Sequence, residues 1–323
     1  MYHKLVKFRG LRSVSDIIWL SMSLSVGIVG LPNAGKSTLF NALLSRQMAA
    51  VANFPFTTIE PNVGIVPVPD QRLEKLSQLI KPSVTTPTTV EFIDIAGLIK
   101  GAHQGEGLGN QFLAKIREVS LIVHIVRVFT NPDVIHYYET IDPQRDIEIV
   151  NLELELGGIK KPSIYVANVS EDQLSDKKWL PELKIGEKKI ELIPLCAKLE
   201  ADLTDFSPEE KEQYLKELGI AESGLDKLIR KAYERLGLIT FYTVKGGKEL
   251  RAWSLPRGKT ALDAAEEVHT DMAKGFVKAE VVSYENFIES GGWKGAAEKG
   301  KVRLEGKEYM MKENDVIEFR FSV

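Results

Sequence analysis

Gly30-Leu31-Pro32-Asn33-Ala34-Gly35-Lys36-Ser37 satisfies the pattern G-x-x-x-x-G-K-[ST] at every fixed position. The spacing has a chemical reason. Glycines let a loop wrap closely, so that successive backbone N–H groups from Asn33 to Thr38 face phosphate oxygens. The helix that follows adds partial positive charge at its N-terminus. Lys36 is placed to reach the β and γ phosphates, and the Ser37 hydroxyl to ligate Mg2+. A glycine turn before a helix can arise by chance. Here an apolar strand precedes it and an amphipathic helix follows, so phosphate binding is the stronger reading.

Asp94 closes the apolar run in "VEFIDIAGL". Alone it reads as a strand-end cap. Downstream of a phosphate loop it reads as the acid that holds a Mg2+-bound water. Gly97 is then placed to donate its backbone N–H to a γ-phosphate and so register hydrolysis. "NFPFTTIEPN" supplies Thr57 and Thr58 where a switch loop offers a threonine to the metal, and Thr58 is taken as the third Mg2+ ligand with Ser37 and Asp94.

These groups need a rigid frame. Apolar runs at 24–29, 63–68, 89–95, 121–128, 163–168 and 190–196 read as strands, most of them parallel and buried. Helix-period segments at 36–44, 71–80, 109–119 and 147–156 lie between them. The alternation predicts an α/β fold, a mostly parallel sheet with helices on both faces. "FSPEEKEQYLKELG" carries its own punctuation: Ser207 as N-cap, Pro208 in the first turn, Glu210 closing a capping box and Gly219 past the end. A further helix is expected over 223–236. From about Ile239 the texture changes. Two strand-like runs flank Gly246-Gly247, a hairpin signal, and one helix and three more strands follow. That order predicts a small α+β module of β-grasp type over 239–323, after a nucleotide-binding domain over 23–238.

The 323 residues are 44% hydrophobic and 27% charged, with a net charge of −3. No global basic field advertises nucleic acid, so contact with RNA would need a local patch. Lys245, Lys248, Arg251, Arg257 and Lys259 form one candidate, and a plain solvated face is the alternative. The single cysteine, Cys196, excludes a disulfide framework and fits a reducing, cytoplasmic setting. No apolar run approaches the roughly 20 residues that span a bilayer, so no membrane role is expected. Residues 1–22 only loosely mimic a targeting peptide and are read as a leader outside the fold, with Met22 as the start of the folded chain.

"GLPNAGKSTLFNAL", "ANFPFTTIEPNVGIVPVPDQRL", "DIAGLIKGAHQGEGLGNQFL" and "IYVANVSED" together closely resemble the Obg-like ATPases of the YchF type, P-loop NTPases within the translation-factor GTPases. The C-terminal third resembles that family's TGS domain, and the resemblance runs from Ser23 to Val323. It implies a Ras-like core. It also implies base recognition by Asn168, Val169 and Glu171, and by a last loop containing Cys196 and Ala197. Most relatives read guanine with Asn-Lys-x-Asp. Here the strand end reads Asn168-Val-Ser-Glu171, without the lysine and with an acid one methylene longer. Adenine has no proton at N1 for a carboxylate to accept, so ATP is preferred over GTP, in line with the family.

In Ras-like enzymes a glutamine after the Asp-x-x-Gly turn orients the attacking water. Leu98 stands there and cannot hydrogen-bond water. His136 matches a histidine that the resemblance implicates in hydrolysis. His103, in the glycine-rich "KGAHQGEGLGN", is a second candidate. Asn33 matches an asparagine that helps hold K+ in potassium-activated relatives. His124 lies inside an apolar strand and reads as a satisfied core residue.

One feature departs from the family. Its long helical arm is missing where "DIEIVNLELEL" meets "KKPSIYVAN" across residues 157–160, either by natural loss or by a deletion joined through Gly157-Gly158. The leading reading is a monomeric, slowly ATP-hydrolysing switch read by the ribosome or a stress factor. The alternatives are a nucleotide-regulated binding protein with negligible turnover, and a GTPase.

Overall fold

The computed structural model describes residues 24–51, 62–95, 108–176 and 181–322. The leader and the expected roles of Thr57, Thr58, Gly97, Leu98 and His103 lie outside the described residues.

The first sheet is built from β1 (Ser25–Val29), β2 (Val63–Pro67), β4 (Thr89–Asp94), β5 (Leu121–Arg127), β6 (Ser163–Asn168) and β9 (Leu192–Leu195), in the order β2-β4-β1-β5-β6-β9. Four of its five pairings are parallel. β2 is the exception: it runs antiparallel to β4 at the sheet edge, a correction to its expected place as a buried parallel strand. Its alternate residues Gly64 and Val66 are buried, the period of a strand covered on one face. The Ile65 N–H donates to Gln47 Oε1 at 2.9 Å, which satisfies one backbone group of this edge.

Helices α1 (Lys36–Val51), α2 (Gln71–Ile80), α3 (Leu108–Glu118) and α4 (Pro143–Leu156) fall in the expected intervals. α1 runs longer than its periodicity suggested. α4 starts earlier, because Asp142 caps it and Pro143 occupies its first turn. One core layer joins Val26, Ile28, Leu39, Leu43, Phe92 and Leu228. The opposite face gathers Val29, Ile95, Ile116, Ile122 and Val150. α5 (Glu171–Ser175), a two-stranded ribbon of β7 (Lys184–Ile185) and β8 (Lys188–Lys189), α6 (Ala197–Asp202), α7 (Pro208–Glu217) and α8 (Gly224–Arg235) complete this part of the chain. Ser207 and Glu210 cap α7 as the capping-box signature predicted, with the Glu210 N–H bonded to the Ser207 hydroxyl at 3.3 Å.

β10 (Leu238–Lys245) and β11 (Glu249–Pro256) form the expected hairpin, with Gly246 and Gly247 both at positive φ, 56° and 68°. α9 (Ala261–Val268), α10 (Thr270–Lys274), β12 (Phe276–Ser283), α11 (Tyr284–Ser290), α12 (Trp293–Glu298), β13 (Arg303–Glu305) and β14 (Asp315–Phe321) follow. The expected single helix over 261–276 is broken at His269, which leaves helical φ and ψ. The first and last strands of this region, β10 and β14, lie side by side and parallel, the arrangement of a β-grasp.

Its sheet has a sixth member, which the sequence reading missed. β3 (Val84–Thr86) comes from the first region yet pairs in parallel with β11. Tyr242, wholly buried, donates its hydroxyl to Asp70 Oδ2 at 2.7 Å, and Leu73 and Leu76 of α2 pack into the same core. The two sheets are thus stitched together through α2 and β3.

Candidate phosphate-binding site

The glycine-rich loop joins β1 to α1. Gly35 has φ +99°, and a Cβ there would lie 2.1 Å from Asn168 Nδ2, so only glycine fits. Asn33 also takes the left-handed region, at φ 61°. Lys36 Nζ donates to the carbonyls of Leu31 at 2.8 Å and Gly30 at 3.1 Å, along the inner wall of the loop. Ser37 and Thr38 are exposed at the start of α1.

Asp94 ends β4, in register with Ile28. Burial pushes its carboxyl upward, opposed by the charges of Lys36 and Lys115. Burial likewise lowers Lys36 to about 8, opposed by Asp94. Asp94 Oδ1 is buried and has no hydrogen-bond partner. A lone carboxylate oxygen beside a phosphate cradle is the donor a hard cation takes.

The structure places Asn168 differently from a simple base ligand. Its Nδ2 donates to the Ala34 carbonyl at 2.9 Å, and its Oδ1 accepts the Ala197 N–H at 3.0 Å. Buried between them, it ties the phosphate loop to the start of α6. Val169 is buried, and its N–H bonds the Leu195 carbonyl at 2.9 Å. Cys196 is buried at the N-cap of α6, and burial pushes its thiol up. Glu171 is exposed at the start of α5 and accepts the hydroxyl of Tyr214. It is not the cap of that helix. Ser170 is, with Gln173 Oε1 accepting the Ser170 N–H at 2.9 Å.

His136 is not a solvated loop histidine. Its Nε2 lies 2.8 Å from Asp146 Oδ2, and its Nδ1 accepts the Tyr138 N–H at 3.1 Å. Both nitrogens are engaged inside the protein. The preceding residue, Ile135, offers its carbonyl to Asn33 Nδ2 at 3.0 Å. His136 therefore anchors a loop that touches the phosphate loop, with both imidazole nitrogens taken up by Asp146 and Tyr138.

Arg127 completes that anchor and was missed at the sequence level. It donates Nε to Phe129 O at 3.2 Å and Nη2 to Val134 O at 2.8 Å, with its guanidinium over the Phe129 ring. An arginine inside the apolar run "LIVHIVRV" was the available signal. His124 is a core residue as expected, but not a satisfied one, because its Nδ1 is buried without a partner. Burial pushes its imidazole down to about 3.

A phosphate loop opening α1, an acid at the end of the neighbouring strand and this strand order define a P-loop nucleotide hydrolase of the GTPase class. Residues 25–169 match the family described as 50S ribosome-binding GTPase, and residues 238–322 match the C-terminal family of YchF GTPases, described as a protein of unknown function (DUF933). The chain belongs to the YchF family. It is 42% identical to the ribosome-binding ATPase YchF of Escherichia coli O157:H7 and 43% identical to that of Bacillus subtilis, over 94% of this chain and all of each relative. The solved structure of the Schizosaccharomyces pombe YchF GTPase superposes with a TM-score of 0.78 at 31% identity, covering 93% of this chain and 98% of that one.

The alignment to the Escherichia coli protein runs over 365 residues, more than the 323 of this chain, so that relative carries residues absent here. At the joint the sequence marked, α4 ends cleanly. Gly158 N–H bonds Glu155 O at 2.9 Å and Ile159 N–H bonds Leu154 O at 2.8 Å, with Gly158 at φ +70°.

Proposed function

We propose that the chain binds ATP with Mg2+ and hydrolyses it slowly, as a monomeric, ribosome-associated switch in the cytoplasm. The observation that carries this reading is the buried Asp94 Oδ1, which has no hydrogen-bond partner and lies within electrostatic reach of Lys36 behind an intact phosphate loop. Ser37 and Asp94 would hold the ion, with Thr58 as the candidate third ligand. When bound, Mg2+ neutralises charge on the β and γ phosphates. Lys36 supplies a second positive charge from the loop side. The backbone N–H groups from Asn33 to Thr38 orient the phosphates, and Gly97 is the proposed γ-phosphate sensor. Asn33 is the candidate for holding K+ as well.

Adenine is favoured by the missing lysine in Asn168-Val-Ser-Glu171 and by the ATPase names of the bacterial relatives. Their ribosome-binding names support a ribosomal partner. Lys245 and Lys248 at the β10–β11 turn are exposed and offer phosphate contacts. Calorimetry with Mg·ATP and Mg·GTP tests the base preference. Turnover measured with and without ribosomes and K+ tests the switch.

One observation favours a second reading, a nucleotide-regulated binder with negligible turnover. His136 is committed to Asp146 and Tyr138, and Leu98 cannot orient water. A single-turnover rate no faster than uncatalysed hydrolysis would establish that reading instead.

A further inference from the structure

Glu171 is the acid at the position where guanine-reading relatives place aspartate, and its surroundings add something the tetrapeptide alone does not carry. Tyr214, on α7, donates its hydroxyl to Glu171 Oε1 across 43 residues of sequence. The Tyr214 ring is itself braced edge-on by Phe206, with centroids 5.7 Å apart and planes at 72°. Phe206 follows α6, the helix that begins at the Cys196–Ala197 loop. The carboxylate is therefore held from the α7 side.

A carboxylate reads guanine by accepting two parallel hydrogen bonds, from N1–H and from the exocyclic amine, one on each oxygen. An oxygen already accepting a phenol O–H is a poor acceptor for a second donor in that plane. Adenine presents no proton at N1 and asks nothing of this carboxylate. We propose that Tyr214 is a specificity residue: it clamps Glu171 out of bidentate reach and so disfavours guanine without contacting the nucleotide. The clamp rests on the adenine reading of the site given above.

The test is calorimetry of the full chain with Mg·ADP and Mg·GDP, which are not turned over. It compares wild type, Tyr214→Phe, Glu171→Gln and the double variant. Tyr214→Phe keeps the ring against Phe206 and removes only the hydroxyl. The clamp predicts that its affinity for Mg·GDP rises roughly tenfold, the low end of the scale of one released hydrogen bond to a charged group, with Mg·ADP affinity unchanged. Glu171→Gln and the double variant show no gain, because the second acceptor oxygen is gone.

An unchanged ADP-to-GDP ratio in Tyr214→Phe overturns the clamp, as does a gain that persists in the double variant. An equal fall for both nucleotides also overturns it, because it marks Tyr214 as a tether between helices. A wild-type chain that binds GDP as tightly as ADP overturns the adenine reading itself, and the clamp with it. A wild-type preference for ADP that Tyr214→Phe leaves intact overturns the clamp alone.

Discussion

His136 and Asp146 form a buried pair, Nε2 to Oδ2 at 2.8 Å, beneath the loop whose Ile135 carbonyl receives Asn33. With Nδ1 accepting a backbone N–H, the network assigns the ring proton to Nε2, donated to Asp146. Removing either partner leaves a buried polar group unmet. His136→Ala and Asp146→Ala should each lose about 2–4 kcal/mol of stability in urea melts. Acting by position, the pair should slow single-turnover hydrolysis to similar extents when either is changed. A His136→Ala defect far deeper than that of Asp146→Asn would show that the imidazole touches the attacking water, and an unchanged rate would remove His136 from the mechanism.

Gly35→Ala meets two obstacles at once. The residue sits at φ +99°, and the added carbon would overlap the Asn168 amide. The expected cost is about 2 kcal/mol of stability, from strain and a displaced buried hydrogen bond. Affinity for Mg·ADP should fall by about two orders of magnitude, because the cradle of N–H groups opens. Calorimetry and a urea melt on the same preparation check both.

Lys36 costs stability at the position where the proposed function needs its charge. Burial holds its ammonium at about 8, below the ordinary 10.5. The unfolded chain therefore binds that proton more tightly between these values, and stability measured without nucleotide rises with pH from 8 to 10.5. Below pH 8 the full cost is present, about 3 kcal/mol as an upper bound. Lys36→Met should melt no lower than wild type at pH 7, yet lose nucleotide affinity by about two orders of magnitude. Its relative advantage should shrink as pH rises toward 10.5, and a constant difference would contradict the assigned cause.

His124 governs the acid end of the pH profile, with the same sign of slope. Burial first, and the charge of Lys36 second, hold its imidazole down to about 3, against an ordinary 6.5. The unfolded chain takes up this proton first as pH falls. Stability is thus fully present above 6.5 and drops by about 1.4 kcal/mol per pH unit between 6.5 and 3. His124→Leu should flatten that part of the curve in denaturant melts taken from pH 7 to 4.5.

The phosphate loop was legible because its chemistry is local: consecutive N–H groups, a lysine and a hydroxyl within eight residues. The α7 cap was legible for the same reason, since Ser207 and Glu210 find each other within one turn. β3 was not. Three residues of "VTT" become a strand only because β11 offers a free edge to them. The antiparallel course of β2 was likewise hidden. Its apolar run looks the same in either direction, and only its place beside β4 sets the sense.

The residues around the loop show the same division. Lys36 and Asp94 could be named from spacing, and the fold brings their charges within mutual influence. That Asn168 spends both ends of its amide on Ala34 and Ala197 was not readable, because those partners lie 134 and 29 residues away. The sequence by itself determined what the chain can grip: a triphosphate, through backbone geometry that short-range sterics dictate. Only the tertiary structure decided how the grip is supported. The partners of His136, Asn168 and Glu171 come from separate elements, and packing, not spacing, chooses which buried polar atoms must meet.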